Sequence, residues 1–341
     1  MFLALVDSLS ALAFCMVVGY IGRKLNILTD SLDKGVSSLL VKIALPCMIF
    51  VSMMRPFSRT LLVESIVAAL VTAAVYMSGY VIGIALARLM GATDEEKSVW
   101  QFSLIFGNVA YVGFPVIHAA FGYEALIYTS MANVSFNILA FSLGVYLFKK
   151  NHKKNNENNN ENNNENNNNG NENNENENNE NDDADKVSIL SKLKTIALTP
   201  ALVATYIGLI FFVTGLRLPA SLQYGIALVG NMSIPLAMIL VGSILARNSL
   251  LSLVNDLRVF PVIFMRLLVI PTAAFFVLRP FISNEVLFGS IVILAAMPAG
   301  AMIVIFAEQY KGDSALSSKL VAISSILCMI TIPLISMLLG D

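Results

Sequence analysis

Few side chains in this sequence could do chemistry, and most of those stand inside long apolar runs. Lys42 and Arg266 are cations in mid-run, and Asn108, Asn133, Asn137 and Asn231 are amides there. An unpaired cation at mid-span costs ~2.5–3.5 kcal/mol on insertion scales, so it must face a cavity or a partner. Lys42 therefore reads either as a counter-charge for a negatively charged solute or as half of a structural ion pair. Arg266 meets the same argument. The Asn108 amide can hydrogen-bond a carboxylate without the desolvation cost of a buried charge; it can equally join two helices. Asn133 and Asn137 lie one turn apart and share a face. For them, for Asn231 and for Glu308, helix packing and solute contact both stay open. Tyr111 and Tyr310 also suit a membrane–water interface. His118 is a lone imidazole, fit for a structural hydrogen bond or a proton relay, and His152 falls in a polar tract.

Enzymatic constellations are missing from the sequence. It holds no HExxH, no Ser/His/Asp set and no pair of carboxylates on the apolar runs, and only two histidines occur. Cys15, Cys47 and Cys328 have neither metal-ligand nor redox spacing and read as small buried hydrophobes. Neither a cofactor nor a metal is expected, and a net charge of −1 gives no reason for a nucleic-acid partner.

The backbone offers more. Lys42 to Pro46, Asn108 to Pro115, Asn231 to Pro235 and Met297 to Ala301 each place proline or glycine within an apolar run. Proline removes a helical hydrogen bond and clashes with the preceding turn. In lipid, the freed backbone must be satisfied by protein or must line a wet cavity. A broken helix also exposes an N-terminus with free N–H groups and partial positive charge, which suits an anion. The groups so offered belong to Val109, Ala110, Tyr111, Gly113 and Pro115 on one run and to Pro298, Ala299, Gly300 and Ala301 on another. Small residues there let backbone and solute approach closely. For the first and third interruptions, a simple kink in a packed helix is an equal reading.

The elements that must carry these residues are membrane-spanning helices. Of 341 residues, 56% are hydrophobic and 13% charged, with a mean hydropathy of +0.72; a soluble domain carries roughly 25% charged residues. Ten acidic residues are confined to one tract, Glu157 to Asp185. Elsewhere apolar runs of about 20 residues follow one another, each long enough to cross ~30 Å of hydrocarbon. The expected spans are 2–22, 35–53, 63–89, 97–121, 124–148, 198–215, 222–246, 258–279, 285–309 and 314–339. The first has no basic segment before it and Arg23 and Lys24 after it, so it reads as a retained helix rather than a cleaved leader. Sixteen Lys and Arg collect on one side of this arrangement and four (Arg55, Arg59, Arg217 and Arg279) on the other. Basic residues stay cytoplasmic, which places both termini outside a plasma-membrane protein.

Three parts are expected: a five-helix repeat over 1–150, an Asn/Glu-rich cytoplasmic linker over 151–190 and a second five-helix repeat over 191–341. The linker has too little apolar surface to offset chain entropy, so disorder is expected. Pro46 and Pro235, and Pro115 and Pro298, take matching places in the two halves. An odd number of spans per repeat inverts the second copy. Paired interruptions in inverted halves point to a transporter's binding site.

Specific residues add a family resemblance. The stretch Asn108 to Pro115 resembles the fourth-helix crossover of the auxin efflux carrier family, which includes plant auxin exporters and bacterial malate or malonate permeases. Met297 to Ala301, followed by Phe306 to Tyr310 and Lys311-Gly312-Asp313, is similar to that family's ninth-helix crossover and exit. Leu218 to Gly242, Arg258 to Pro271 and Ile332-Pro333 fit as well, so the likeness covers both halves and misses the linker. It implies an all-α fold of ten helices in two inverted repeats, like sodium/proton antiporters and bile-acid carriers, with helices four and nine crossing at mid-membrane. It further implies a homodimer and an elevator motion of spans three to five and eight to ten against spans one, two, six and seven. The function expected is secondary transport of a small organic anion such as a carboxylate through the crossover, as uptake or, in the preferred reading, as efflux. A sodium- or proton-coupled symporter of the bile-acid-carrier type is the alternative. Antiporters of this fold carry an acidic pair at the crossover, which this sequence lacks.

Overall fold

A computed structural model describes residues 2–148, 198–247, 256–310 and 312–339, and of residues 2–9, 247 and 308 the backbone only. The linker bounds, its expected disorder and the side chain of Glu308 lie outside what is described. Among the described residues the protein is helical throughout, without a strand.

Helix covers each of the ten expected segments. We label α1 (Phe2–Lys24), α2 (Asp30–Leu39), α3 (Leu45–Met53), α4 (Arg59–Leu89), α5 (Asp94–Ile105), α6 (Phe114–Phe121) and α7 (Tyr123–Leu139) in the first half. The second half holds α8 (Pro200–Thr214), α9 (Ala220–Asn231), α10 (Ser233–Arg247), α11 (Val259–Phe264), α12 (Ile270–Leu278), α13 (Glu285–Ala295), α14 (Met302–Gln309) and α15 (Ser314–Leu338). Six helical stretches among the described residues are long and apolar enough to cross a membrane: 30–53, 59–89, 123–148, 220–246, 259–278 and 314–338. Their outward faces carry large apolar side chains such as Leu70, Val81, Phe276 and Ile330. In a bundle of this composition, lipid covers such surface.

Not every proline breaks its helix. Pro46, Pro115 and Pro271 each follow a π-helical turn, at Leu40–Ala44, Val109–Gly113 and Met265–Val269. Proline clashes with the carbonyl four residues back; one wide turn moves that carbonyl aside and keeps the helix running. The interruption expected at Lys42–Pro46 is therefore a widened turn, and helix continues from Asp30 to Met53. At Asn231–Pro235 only Met232 leaves helical assignment, and Leu236 N–H still donates to its carbonyl at 3.2 Å. These two segments are kinks.

Two runs are broken outright. Between α5 and the turn at Val109 the chain is non-helical through Phe106–Asn108, with Phe106 extended, and between α13 and α14 it is non-helical through Ala296–Ala301. Close helix contacts hold the frame around them. Where α1 packs along α10, a Cβ on Gly19 would fall on the Ile239 carbonyl and one on Gly242 on the Met16 carbonyl. In lipid such backbone approach replaces the hydrophobic drive that assembles helices in water.

Candidate functional site at the crossing of two broken helices

The two breaks meet. Gly107 and Ala299 form an isolated antiparallel bridge, in which Asn108 N–H donates to the Pro298 carbonyl at 2.8 Å and Gly300 N–H to the Phe106 carbonyl at 3.1 Å. Ala299 N–H is taken by Ser324 Oγ of α15 at 3.1 Å. Each break thus satisfies much of the other's main chain, which is how unwound backbone survives inside a membrane.

Both helices that end here, α5 and α13, point their negative poles at the crossing. Arg266, from the π-helical turn before α12, lies between them and is 2% exposed. Its Nε donates to the Met297 carbonyl at 2.9 Å, and its Nη1 to the carbonyls of Leu104 at 3.0 Å and Ile105 at 3.3 Å. The sequence argument that a mid-span cation needs a partner holds. The partners are main-chain carbonyls at the end of α5 and in the break after α13, so no charge pattern could have named them.

Both helices that begin here present positive poles. Asn108 Oδ1 accepts from Tyr111 N–H at 3.2 Å and so caps the Val109–Gly113 turn. Its carbonyl accepts from Val112 at 3.2 Å and Gly113 at 2.9 Å. The first N–H groups, at Ala110 on one side and at Ala301 and Met302 on the other, have no carbonyl one turn back to bond.

A crevice of about 500 Å³ reaches these helix starts. It is lined by Asp33, Lys34, Ser37, Ser38, Val41 and Lys42 of the second span, Leu240 and Ile244 of α10, and Tyr111 and Ala301 from the two breaks. Lys42 is exposed to it, and Lys34 lies two turns away, ~12 Å along the helix. Lys34 also borders a second recess of about 600 Å³ with Arg23, Lys24, Asn26 and Asp30. A basic route therefore leads from one end of the bundle to the crossing. Asp33 adds no open negative charge there, for it is buried, its Oδ2 lies 3.5 Å from Arg23 Nη1, and the one hydroxyl proton of Ser243 is shared between its oxygens at 2.9 and 2.7 Å; Arg23 also pairs with Asp30 at 2.6 Å. Tyr111 Oη and Ser37 Oγ are hydrogen-bonded at 2.8 Å across the crevice.

Among the other expected site residues, Val109, Gly113, Pro115, Pro298, Ala299 and Gly300 are buried in the crossing and form its walls. Asn137 is buried in α7 and donates to the Asn133 carbonyl at 2.7 Å, within its own helix. Asn231 is remote from the crevice lining and accepts from Tyr123 Oη. Tyr123 in turn stacks edge-on against His118, with ring centroids 4.6 Å apart. Ser37, Ser38 and Lys34 were not singled out in the sequence, because a helical serine beside an apolar face carries no distinguishing signal.

An all-helical, multi-pass membrane protein with two helices interrupted at one place, beneath a solvent-reaching crevice, has the build of a transporter. A family model described as membrane transport protein, that of the auxin efflux carriers, matches residues 4–336. The chain belongs to this family and is a membrane transporter. A search of curated proteins finds no match to it.

Proposed function

We propose that the chain is a secondary carrier that exports a small organic anion, a carboxylate, by alternating access at the crossing of its fourth and ninth spans. The observation that carries this reading is the pair of helix N-terminal turns whose residues Tyr111 and Ala301 line a crevice with Lys42 exposed in it. Free N–H groups and positive helix ends bind anions, while Lys42 adds a full charge. On this reading ten spans form two inverted five-helix repeats, with both termini outside the plasma membrane and the linker cytoplasmic. The basic end of the crevice then faces the cytoplasm, as an exporter's loading state requires.

Spans three to five and eight to ten would move as one body against spans one, two, six and seven, in a homodimer. The Tyr111–Ser37 bond joins these two bodies at the crevice, and the Tyr123–Asn231 and Arg55–Glu124 contacts join them elsewhere. Such contacts must break and re-form in each cycle. The test is a thermal-shift screen of purified protein against dicarboxylates, indole acids and bile acids, since a ligand that binds only the folded state raises its stability. A saturable rise with one anion class, absent in Asn108→Asp, is expected. No response from any anion, with flux of none of them in vesicles, would overturn the reading.

A further inference from the structure

The corner between α1 and α2 brings open basic charge and open apolar surface together at one end of the bundle. α1 ends on Arg23 and Lys24. Asn26 then takes a left-handed conformation, with φ 57°, and the N–H groups of Ile27 and Leu28 both donate to the Gly22 carbonyl, at 2.9 and 3.1 Å. Beside this cap lies the recess of about 600 Å³ lined by Arg23, Lys24, Asn26, Asp30, Lys34 and Ala246. Lys34 is the one lining residue that it shares with the crevice. We propose that this recess binds the phosphoryl headgroup of an anionic phospholipid, whose acyl chains lie along the outer face of α1.

Charge, shape and position each support the assignment. Asp30 and Asp33 are drawn to Arg23, at 2.6 and 3.5 Å. Lys24 and Lys34 are exposed and form no ion pair among the described residues. Lys24 Nζ stands 5.7 Å from the centre of the Tyr20 ring, a cation–π contact that keeps it near the helix end. Phosphate oxygens take charge-assisted hydrogen bonds from such ammonium groups. A lipid, rather than a soluble phosphoester, is indicated by what adjoins the recess. Phe14, Val18, Ile21 and Leu25 are all exposed, and their spacing of four, three and four residues sets them in one stripe along α1. The stripe runs directly into Lys24 and the recess, so apolar chain and charged head would be met in sequence. Basic pockets between helices at the membrane surface bind phospholipid headgroups in this way. Which leaflet supplies the lipid rests on the orientation in the carrier reading; the binding itself does not.

The experiment titrates the full chain, in a neutral detergent, with short-chain phosphatidylglycerol, with phosphatidylcholine of the same chains and with glycerol phosphate, and reads melting temperature. Phosphatidylglycerol should raise it saturably, and the other two should not. Lys24→Gln and Lys34→Gln should each weaken the midpoint about fivefold, and the double variant about twenty-fivefold. Asp30→Asn, which removes an exposed carboxylate from the recess, should tighten it. Lys42→Gln, in the crevice alone, should leave it unchanged. An equal response to phosphatidylcholine would reduce the site to chain binding, and an equal response to glycerol phosphate would make it a soluble phosphoester site; either overturns the proposal. So does an unaltered midpoint in the double variant, or a loss in Lys42→Gln as large as in Lys34→Gln. Should the double variant fail to fold, the single variants at these exposed positions decide. None of these readouts involves flux, so a chain that carries no carboxylate leaves the lipid site standing, and one that ignores phosphatidylglycerol leaves the carrier reading standing.

Discussion

Replacing Asn108 separates its two possible roles, because the structure shows how much of its side chain is already used. Oδ1 accepts from Tyr111 N–H and caps the turn that starts the second half of the broken helix. Asn108→Ala loses that cap, which is worth about 1 kcal/mol and lowers the melting temperature by only a few degrees. Asn108→Asp keeps an acceptor in the same place and should preserve the cap. It also puts a negative charge where the proposed anion binds. Two unit charges ~4 Å apart at an effective dielectric of 20 repel by about 4 kcal/mol, which is roughly a thousandfold in affinity. Flux of labelled carboxylate into proteoliposomes, read beside melting temperature, is the assay. The expected pattern is near-normal stability with abolished flux in Asn108→Asp, and slightly reduced stability with impaired flux in Asn108→Ala. An aspartate variant that carries the anion at the wild-type rate would refute the argument, because no anion could then be sitting beside residue 108.

Three further substitutions test the surroundings. Lys42→Gln removes a charge exposed to the crevice; about 1 kcal/mol at a water-like dielectric should raise KM about fivefold for a monoanion, and raised salt should erase the difference between variant and wild type. Tyr111→Phe removes the 2.8 Å bond to Ser37, worth about 1 kcal/mol, and should shift the balance of the two facing states about fivefold, read as changed labelling of single cysteines along the crevice. Gly242→Leu drives a side chain into the Met16 backbone; overpacking against a carbonyl that cannot rotate away should cost about 3 kcal/mol or more, seen as a lower melting temperature, whereas Gly225→Ala, at an open position on the exposed surface, should not be felt.

The sequence revealed apolar runs and the places where they break, because hydropathy and proline act locally. Pro298 lies in one of the two true breaks, whereas the other falls at Phe106–Asn108, ahead of Pro115, which itself follows a π-helical turn. Pro46 marked only a kink, since a single π-helical turn relieves its clash, and nothing in the residues alone distinguishes relief by a wide turn from a full break. Long-range pairings were out of reach. Gly107 with Ala299, Arg266 with Leu104, and Ser37 with Tyr111 are joined through backbone or hydroxyl groups far apart in the chain. Charge complementarity cannot signal such contacts. Arg266 itself was legible as a cation in need of a partner, and Asn108 as an amide ahead of a break. Asn137 and Asn231 looked equivalent to Asn108 by type and setting, but their bonding places them elsewhere: one in its own helix and one against Tyr123.

Solute counterflow tests the central claim most directly. Proteoliposomes are loaded with an unlabelled carboxylate chosen from the thermal-shift screen, diluted, and given a trace of the labelled anion outside. A carrier that alternates access at the crossing accumulates label above equilibrium for a time and then releases it, and Asn108→Asp abolishes that overshoot. Simple equilibration without overshoot, or an overshoot unchanged in Asn108→Asp, would contradict the account.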